Sequence, residues 1–496
     1  MSRTSGSSFP STTRCTRTAN GDWKREESSS TQGAGRGSAR EPARVDSPAD
    51  PPSLPPPSAG PAVDRMTEAP SPPTTTSSAR RDRLLLMTAR AGRGFGAGAL
   101  SIVIALDLTG AGYSSLAIGV VLGVALGGAA AWAIAVPQLE LRWRRRSVLL
   151  VSALALALGG ILLWFDLANP AILLAALLLG GIVAGGADVS PLGALEQAAL
   201  AGTIGDRERT TTYALYNLLG YVGIALGALA ASPLSALNTS AIPGLPTGPH
   251  DATLLFYGLL GLVLVPAYLS LSSGVDRHAA TERPSPLSSA SRPVVFSLSA
   301  LFAVDAFAGG LIVNSLVVYY FTTRYHPGVD LLGLVFFLSN LAAGLSLVLA
   351  APLARRFGLI NTMVFSHIPS NVFLILVVIA PSFVIASLLW VARATLSQMD
   401  VPTRQSYTQA VVPTEDRAAA AGYTTAARSA QAIGAPVAGS FLAAGGPWVA
   451  APFVLAGCVK VGYDAAVYLR FRRLRPPEEV DPVVGPPGPT DLPERG

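Results

Sequence analysis

Apolar residues come along this chain in blocks of about twenty, separated by short polar or charged turns. About twenty apolar residues of α-helix cross a hydrocarbon core roughly 30 Å thick. The blocks fall near 94–111, 115–136, 147–166, 170–203, 210–232 and 251–272, and again near 294–321, 331–352, 359–380, 382–411, 418–443 and 447–470. A polar linker, 273–292, separates the two sets and holds Asp276, Arg277, His278, Glu282 and Arg283. The blocks are too long for barrel strands, and a backbone in lipid must satisfy its own hydrogen bonds, so helices are the spanning element. The pattern predicts an all-α polytopic membrane protein of about twelve transmembrane helices in two six-helix bundles, 84–272 and 293–470.

The flanks differ in kind. Residues 1–83 are rich in Ser, Thr, Pro, Arg and Gly, as in Pro51-Pro52-Ser53-Leu54-Pro55-Pro56-Pro57. Such a segment buries too little apolar surface to offset its chain entropy, which predicts disorder. It has no apolar core of a secretory signal. It is read as a cytoplasmic tail or as the product of an upstream start, with Met66 and Met87 as alternative starts. The Pro-rich, charged segment 471–496 is expected to be a second disordered tail.

Charge placement adds orientation. Only 13% of residues are charged, against a hydrophobic share of 50%, and about a quarter charged is usual for soluble domains. With the amino terminus inside, the inner loops hold Arg142, Arg144, Arg145, Arg146, Arg207, Arg209, Arg277, Arg283, Arg292, Arg355, Arg356, Arg417, Arg470, Arg472, Arg473 and Arg475, whereas the outer loops hold Arg324 alone. This asymmetry predicts an even number of spans with both termini cytoplasmic. It also accounts for the net charge of +6 without nucleic acid. Cys15 and Cys458 form neither a disulfide framework nor a metal site. The two lysines, Lys24 and Lys460, do not follow Gly, so there is no Walker A loop. The four histidines show no metal-ligand spacing, and no nucleophile elbow occurs. Neither a cofactor, a metal nor an enzyme is expected.

The two sets of spans echo each other. A shift of 208 positions lays Glu196-Gln197 on Arg404-Gln405 and Glu208-Arg209 on Asp416-Arg417. Basic turns follow Pro137 (Glu140, Arg144, Arg145, Arg146) and Pro352 (Arg355, Arg356, Gly358). Internal repeats of this size build many transporters, with the substrate site between them.

The six-plus-six layout, these turns, and the stretch Gln398-Met399-Asp400-Val401-Pro402-Thr403-Arg404-Gln405 leading to Pro413-Thr414-Glu415-Asp416-Arg417 resemble the major facilitator superfamily, in particular bacterial permeases that are mostly uncharacterised. The resemblance covers about residues 90–470. The family's loop motif is degenerate here: Glu140 stands for its Asp, Trp143 for its second Gly, and Arg355 occupies the acidic position of the second copy. The resemblance implies two six-helix bundles rocking about a central cavity lined by the first, fourth, seventh and tenth helices.

Charged residues inside the spans are the most informative feature, because an ionised group at mid-bilayer costs at least about 2.5–3.5 kcal/mol and so faces protein or water. They are Asp107, Asp188, Glu196, Asp305, Arg393, Asp400, Arg404, Arg428, Lys460 and Asp464. Arg393, Ser397, Asp400 and Arg404 share one helix face, as do Asp188 and Glu196. Asp400 and Arg404 are either a self-neutralising i,i+4 pair or cavity groups. Glu196 and Arg404 are candidates for an inter-bundle gate. Asp305, among apolar neighbours, is the first candidate for a proton-binding carboxylate and Asp188 the second; Asn314 adds a polar group on the same helix. Glu208-Arg209 and Asp416-Arg417 are helix caps or gate latches.

The expected function is a secondary active transporter that moves a small solute by alternating access, coupled to protons or another ion, an efflux permease being one form. The alternatives are a non-transporting sensor or scaffold of the same fold and a membrane-embedded enzyme. A monomer in the lipid bilayer of a bacterial inner membrane is expected. The arginines of the tenth span point to anions and the acids of the first, fourth and seventh to cations, which leaves the cargo open.

Overall fold

The computed structural model describes residues 77–140, 142–180, 191–201, 203–204, 206–237, 248–276 and 287–474. The expected tails therefore lie outside the described residues, except for 77–83 and 471–474. Sixteen α-helices occur in the order α1 (Ser77–Gly110), α2 (Ser115–Glu140), α3 (Arg145–Asp166), α4 (Pro170–Gly180), α5 (Pro191–Ala201), α6 (Asp206–Ser235), α7 (Asp251–Leu269), α8 (Arg292–Gly310), α9 (Asn314–Tyr325), α10 (Val329–Phe357), α11 (Leu359–Leu376), α12 (Phe383–Ser397), α13 (Asp400–Ala410), α14 (Arg417–Ala427), α15 (Gln431–Ala444) and α16 (Ala451–Phe471). Three pairs, α8–α9, α12–α13 and α14–α15, each make one interrupted span, and α4 and α5 flank residues 181–190, which lie outside the described residues; counting α4 and α5 as the one span the sequence predicts gives twelve. Nine spans among the described residues are long and apolar enough to cross a membrane. The other three are the tenth and eleventh, which are interrupted, and the fourth, part of which lies outside the described residues.

The first helix starts at Ser77 rather than near residue 94, inside the segment 1–83 expected to lack structure. Hydropathy alone misses this charge-rich start because its charges have partners distant in sequence, at the ends of other spans or within them. Asp82 accepts hydrogen bonds from Ser272 N at 3.0 Å and from Ser272 Oγ. Arg83 donates to Thr203 O at 3.1 Å. Arg93 pairs with Glu196.

Helix contacts follow small residues, because lipid supplies no hydrophobic drive between spans and close backbone approach must do so. Within the amino-terminal half, α1 lies against α6, where a Cβ on Gly227 would stand 1.8 Å from Phe95 O. Between the halves, α2 meets α15 and α6 meets α10. A Cβ on Gly119 would stand 2.6 Å from Ala435 O. These seams run through Gly119, Gly439 and Gly333, near the span ends remote from the Arg-rich turns. Nearer the middle of the spans, Ser315 of α9 also donates to Ser101 O of α1 at 3.1 Å. The outer faces are apolar: Leu331, Leu334, Leu338, Leu345 and Leu349 of α10 are exposed, as a lipid-facing stripe requires.

Two interruptions have readable causes. Pro402 has no N–H for Gln398 O and its ring crowds that carbonyl, so α12 ends at Ser397 and the helix resumes at Asp400. Gln398 is held at the break by Ser346 Oγ, 3.3 Å from its backbone N. Gly309-Gly310 ends α8. Glycine weakens a helix, and a Cβ on Gly310 would stand 2.1 Å from Gln431 O of α15.

Candidate functional site

The breaks in α8–α9, α12–α13 and α14–α15 come together. A cavity of about 170 Å³ is lined by Gly309, Ile312, Val313 and Asn314 from the first, by Ser397, Gln398 and Asp400 from the second, and by Arg428 and Gln431 from the third. Irregular backbone is tolerated at membrane depth where it lines a cavity, and discontinuous helices are a common way to build a transport site. From the amino-terminal half, Tyr221 of α6 reaches the same cavity, and its hydroxyl donates to Gln398 Oε1 at 2.8 Å.

Most of the cavity's charge lies in one network. Asp305 of α8 is bound by Lys460 Nζ of α16 at 2.5 Å and by Arg404 Nη1 of α13 at 3.1 Å. Arg404 also reaches Asp400 Oδ2 at 3.2 Å, and its guanidinium lies over the Phe302 ring. Asp400 stands in the first turn of α13, where a carboxylate also suits the helix dipole. Behind this group, His367 Nδ1 is 2.9 Å from Asp464 Oδ1, and Asn371 donates to Asp464 Oδ2 at 3.2 Å. Arg393 stacks over Trp390, 4.7 Å from its centroid.

Glu196 lies elsewhere. It is fully buried in the amino-terminal half. It accepts from Arg93 at 2.5 Å, Tyr216 at 2.6 Å and Tyr268 at 2.5 Å.

Of the residues singled out from sequence, Asp305, Asn314, Arg393, Asp400 and Arg404 line the one cavity. Glu196 and Arg404 do not meet here, each being held within its own half. Asp107 sits near the Arg-poor end of α1 and bonds His250 Nδ1. Asp188 and the side chains of Glu208 and Arg209 lie outside the described residues. The two basic turns are not equivalent. Arg145 bridges Glu140 at 2.5 Å, Ala198 O at 3.1 Å and Val275 O at 3.3 Å, so the first turn is clipped to α5 and to the end of the amino-terminal half. Arg144, Arg355 and Arg356 are exposed; with Arg355 at the acidic position, the second turn has no carboxylate to close the same clip. Asp416 precedes α14 but makes no cap bond. It accepts instead from Ser288 N at 3.0 Å and from Ser288 Oγ, and the Ser288 and Ser291 hydroxyls hold its carboxyl below the ordinary value. Arg417 donates to Gln409 O at 3.0 Å.

Arg93 lies just ahead of the predicted first span, near 94, because the charged start of α1, from Ser77, lacks the apolar pattern of a span. Sequence reading passed over His367 and Asn371, whose signal was an i,i+4 polar pair on an apolar span. The helix breaks were legible only at Pro402 and Gly309-Gly310.

A family model described as "Major Facilitator Superfamily" matches residues 43–228 and 295–494. The chain belongs to the major facilitator superfamily. Solved members share this fold at low identity. A bacterial homologue of the human lysosomal transporter Spinster, inward-facing and occupied, matches with TM-score 0.61 and 16% identity over 80% of this chain and 97% of that one. A D-xylose–proton symporter matches with TM-score 0.61 and 16% identity over 79% and 98%. The nucleoside transporter NupG matches with TM-score 0.57 and 14% identity over 79% and 98%. In sequence, an uncharacterised membrane protein of Saccharomyces cerevisiae is 24% identical over 374 residues, 67% of this chain and 83% of that protein. The family and its fold make the chain a multi-pass transporter of a solute rather than an enzyme.

Proposed function

We propose that this chain is a secondary active transporter that carries a small solute by alternating access, with a proton as the coupling ion and Asp305 as the group that takes it. The observation that carries the reading is the cavity itself: interrupted helices and buried ion pairs meet there, and a residue of the opposite half, Tyr221, closes one wall. Two six-helix halves rock about it. In this structure the glycine seams are packed toward the Arg-poor ends, so the cavity serves the Arg-rich side. The excess of arginine makes that side cytoplasmic, with both termini inside and the protein acting as a monomer in a plasma membrane.

Asp305 is shared by Lys460 and Arg404. Protonation would release both cations, and re-forming the pairs would expel the proton. This ties one proton to a rearrangement of α8, α13 and α16. The full chain in proteoliposomes containing a pH-sensitive dye is expected to acidify or alkalinise the lumen when a transported solute is added. Asp305→Asn is expected to abolish that signal. Solute flux with no pH change in the wild-type protein removes the proton coupling.

A further inference from the structure

Among the described residues, the cavity has more positive than negative groups, and the surplus is specific. Its lining includes Arg393, Arg404, Arg428 and Lys460 against Asp305 and Asp400. Both carboxylates are occupied by two of the cations: Asp305 by Lys460 and Arg404, and Asp400 by Arg404. Arg393 and Arg428 form no ion pair with any carboxylate among the described residues, and both are only partly exposed. The contact resolved for the Arg393 guanidinium is the Trp390 ring, and its Nε has no hydrogen-bond partner. Arg428 sits in the 3-10 turn that breaks the eleventh span. His367 does not alter the balance, since Asp464 lies against it.

Resting on the transporter reading above, we propose that Arg393 and Arg428 are the substrate-binding residues of an anion site, and that the cargo is a small solute with carboxylate or phosphate oxygens. A guanidinium presents a fixed fork of donors that matches either group. Two unpaired guanidiniums at membrane depth are costly, and the cost rises when the halves close over the cavity and exclude water. An anion removes it, so the occluded state is reached with cargo aboard. Asn314 and Gln431, at the two neighbouring helix breaks, and Asn340 of α10 supply neutral hydrogen-bonding groups for the rest of the solute.

The test uses the full chain in proteoliposomes. Uptake is measured for succinate and citrate, for inorganic phosphate, for the neutral probes xylose and uridine, and for the cation ethidium; binding of each is followed by thermal shift of the purified protein. Arg393→Gln and Arg428→Gln are compared with Arg393→Lys and with Arg356→Gln, an exposed position away from the cavity. Anion uptake that falls at least about tenfold in both Gln variants, the loss of one charged hydrogen bond, supports the site. Partial retention by Arg393→Lys is expected, with Arg356→Gln unchanged. The carboxylate and phosphate arms then name the cargo's anionic group. Uptake confined to neutral or cationic probes, or anion uptake indifferent to both Gln variants, overturns the anion site and leaves the transporter reading standing. Anion binding lost in the Gln variants, without flux of any probe, supports the site and overturns the transporter reading. Neither binding nor flux of any probe by folded protein overturns both. Monodispersity and helical circular dichroism of each variant separate loss of binding from loss of folding.

Discussion

The two halves use the same pair of helices for opposite charges. In the amino-terminal half, Glu196 of the fourth span is bound by Arg93 of the first. In the carboxy-terminal half, the position 208 residues on is Arg404 of the tenth span, bound to Asp305 of the seventh. What surrounds each pair differs. Glu196 receives two further hydrogen bonds from the neutral hydroxyls of Tyr216 and Tyr268. The counterparts around Asp305 are charged: Lys460 binds it directly, and Arg393 and Arg428 share its cavity. A repeat that swaps the sign of a buried pair keeps the packing. On the proposed function, the cations that bind Asp305 and share its cavity make its pair part of the transport site, and the hydroxyls on Glu196 make its pair a strut.

The largest expected difference comes from removing the two carboxylates. Glu196→Ala breaks a buried ion pair by removing the carboxylate, which costs about 3–5 kcal/mol. It should collapse folded yield and lower the midpoint of thermal unfolding in detergent. Asp305→Ala should leave the protein folded, because Arg404 keeps Asp400 and Lys460 lines the cavity, yet it should stop transport. Equal loss of folding in both would erase the distinction between strut and site.

A smaller effect is expected from glycines within and between the halves. Gly227→Ala drives a Cβ into Phe95 O, an overpacking of roughly 1–3 kcal/mol inside one half, and unfolding midpoints should record it. Gly119→Ala strikes the seam between halves, and its relief lies in separating them there. Cysteine labelling from the Arg-poor side should rise without a comparable loss of stability. A pure stability loss at Gly119 would mean the seam does not open.

The smallest effect concerns the ties at the ends of the linker. Asp82 holds Ser272 and Asp416 holds Ser288 through the same two atoms, backbone N and Oγ. The Asp416 carboxyl is held below its ordinary value of 3.8 by the Ser288 and Ser291 hydroxyls. Its stabilisation is therefore complete above that value and fades as pH falls through the lower folded value. Asp416→Asn should flatten this acid limb of a stability-against-pH curve, with little change near neutrality. An unaltered limb would place the acid sensitivity in another group.

Much of the fold was legible because lipid imposes one rule along the whole chain: twenty apolar residues make a span, and the arginines mark one side of it. The intramembrane charges were legible for the same reason, since each stands out against an apolar background. Their partners were not. Asp305 was read amid apolar neighbours because its cations come from spans about a hundred and about a hundred and fifty positions away. Helix α1 was begun late because Asp82, Arg83 and Arg93 look like loop residues until Ser272, Thr203 and Glu196 are brought to them.

The sequence by itself determined the all-helical membrane class and the identity of the costly groups, both of which follow from local hydropathy and from charge along the chain. Only the tertiary structure decided which charges cancel. Cancellation needs contact within a few ångströms, and in this fold those contacts join spans that the chain keeps far apart, so among the described residues Arg393 and Arg428 emerge as the surplus only once the paired charges are in place.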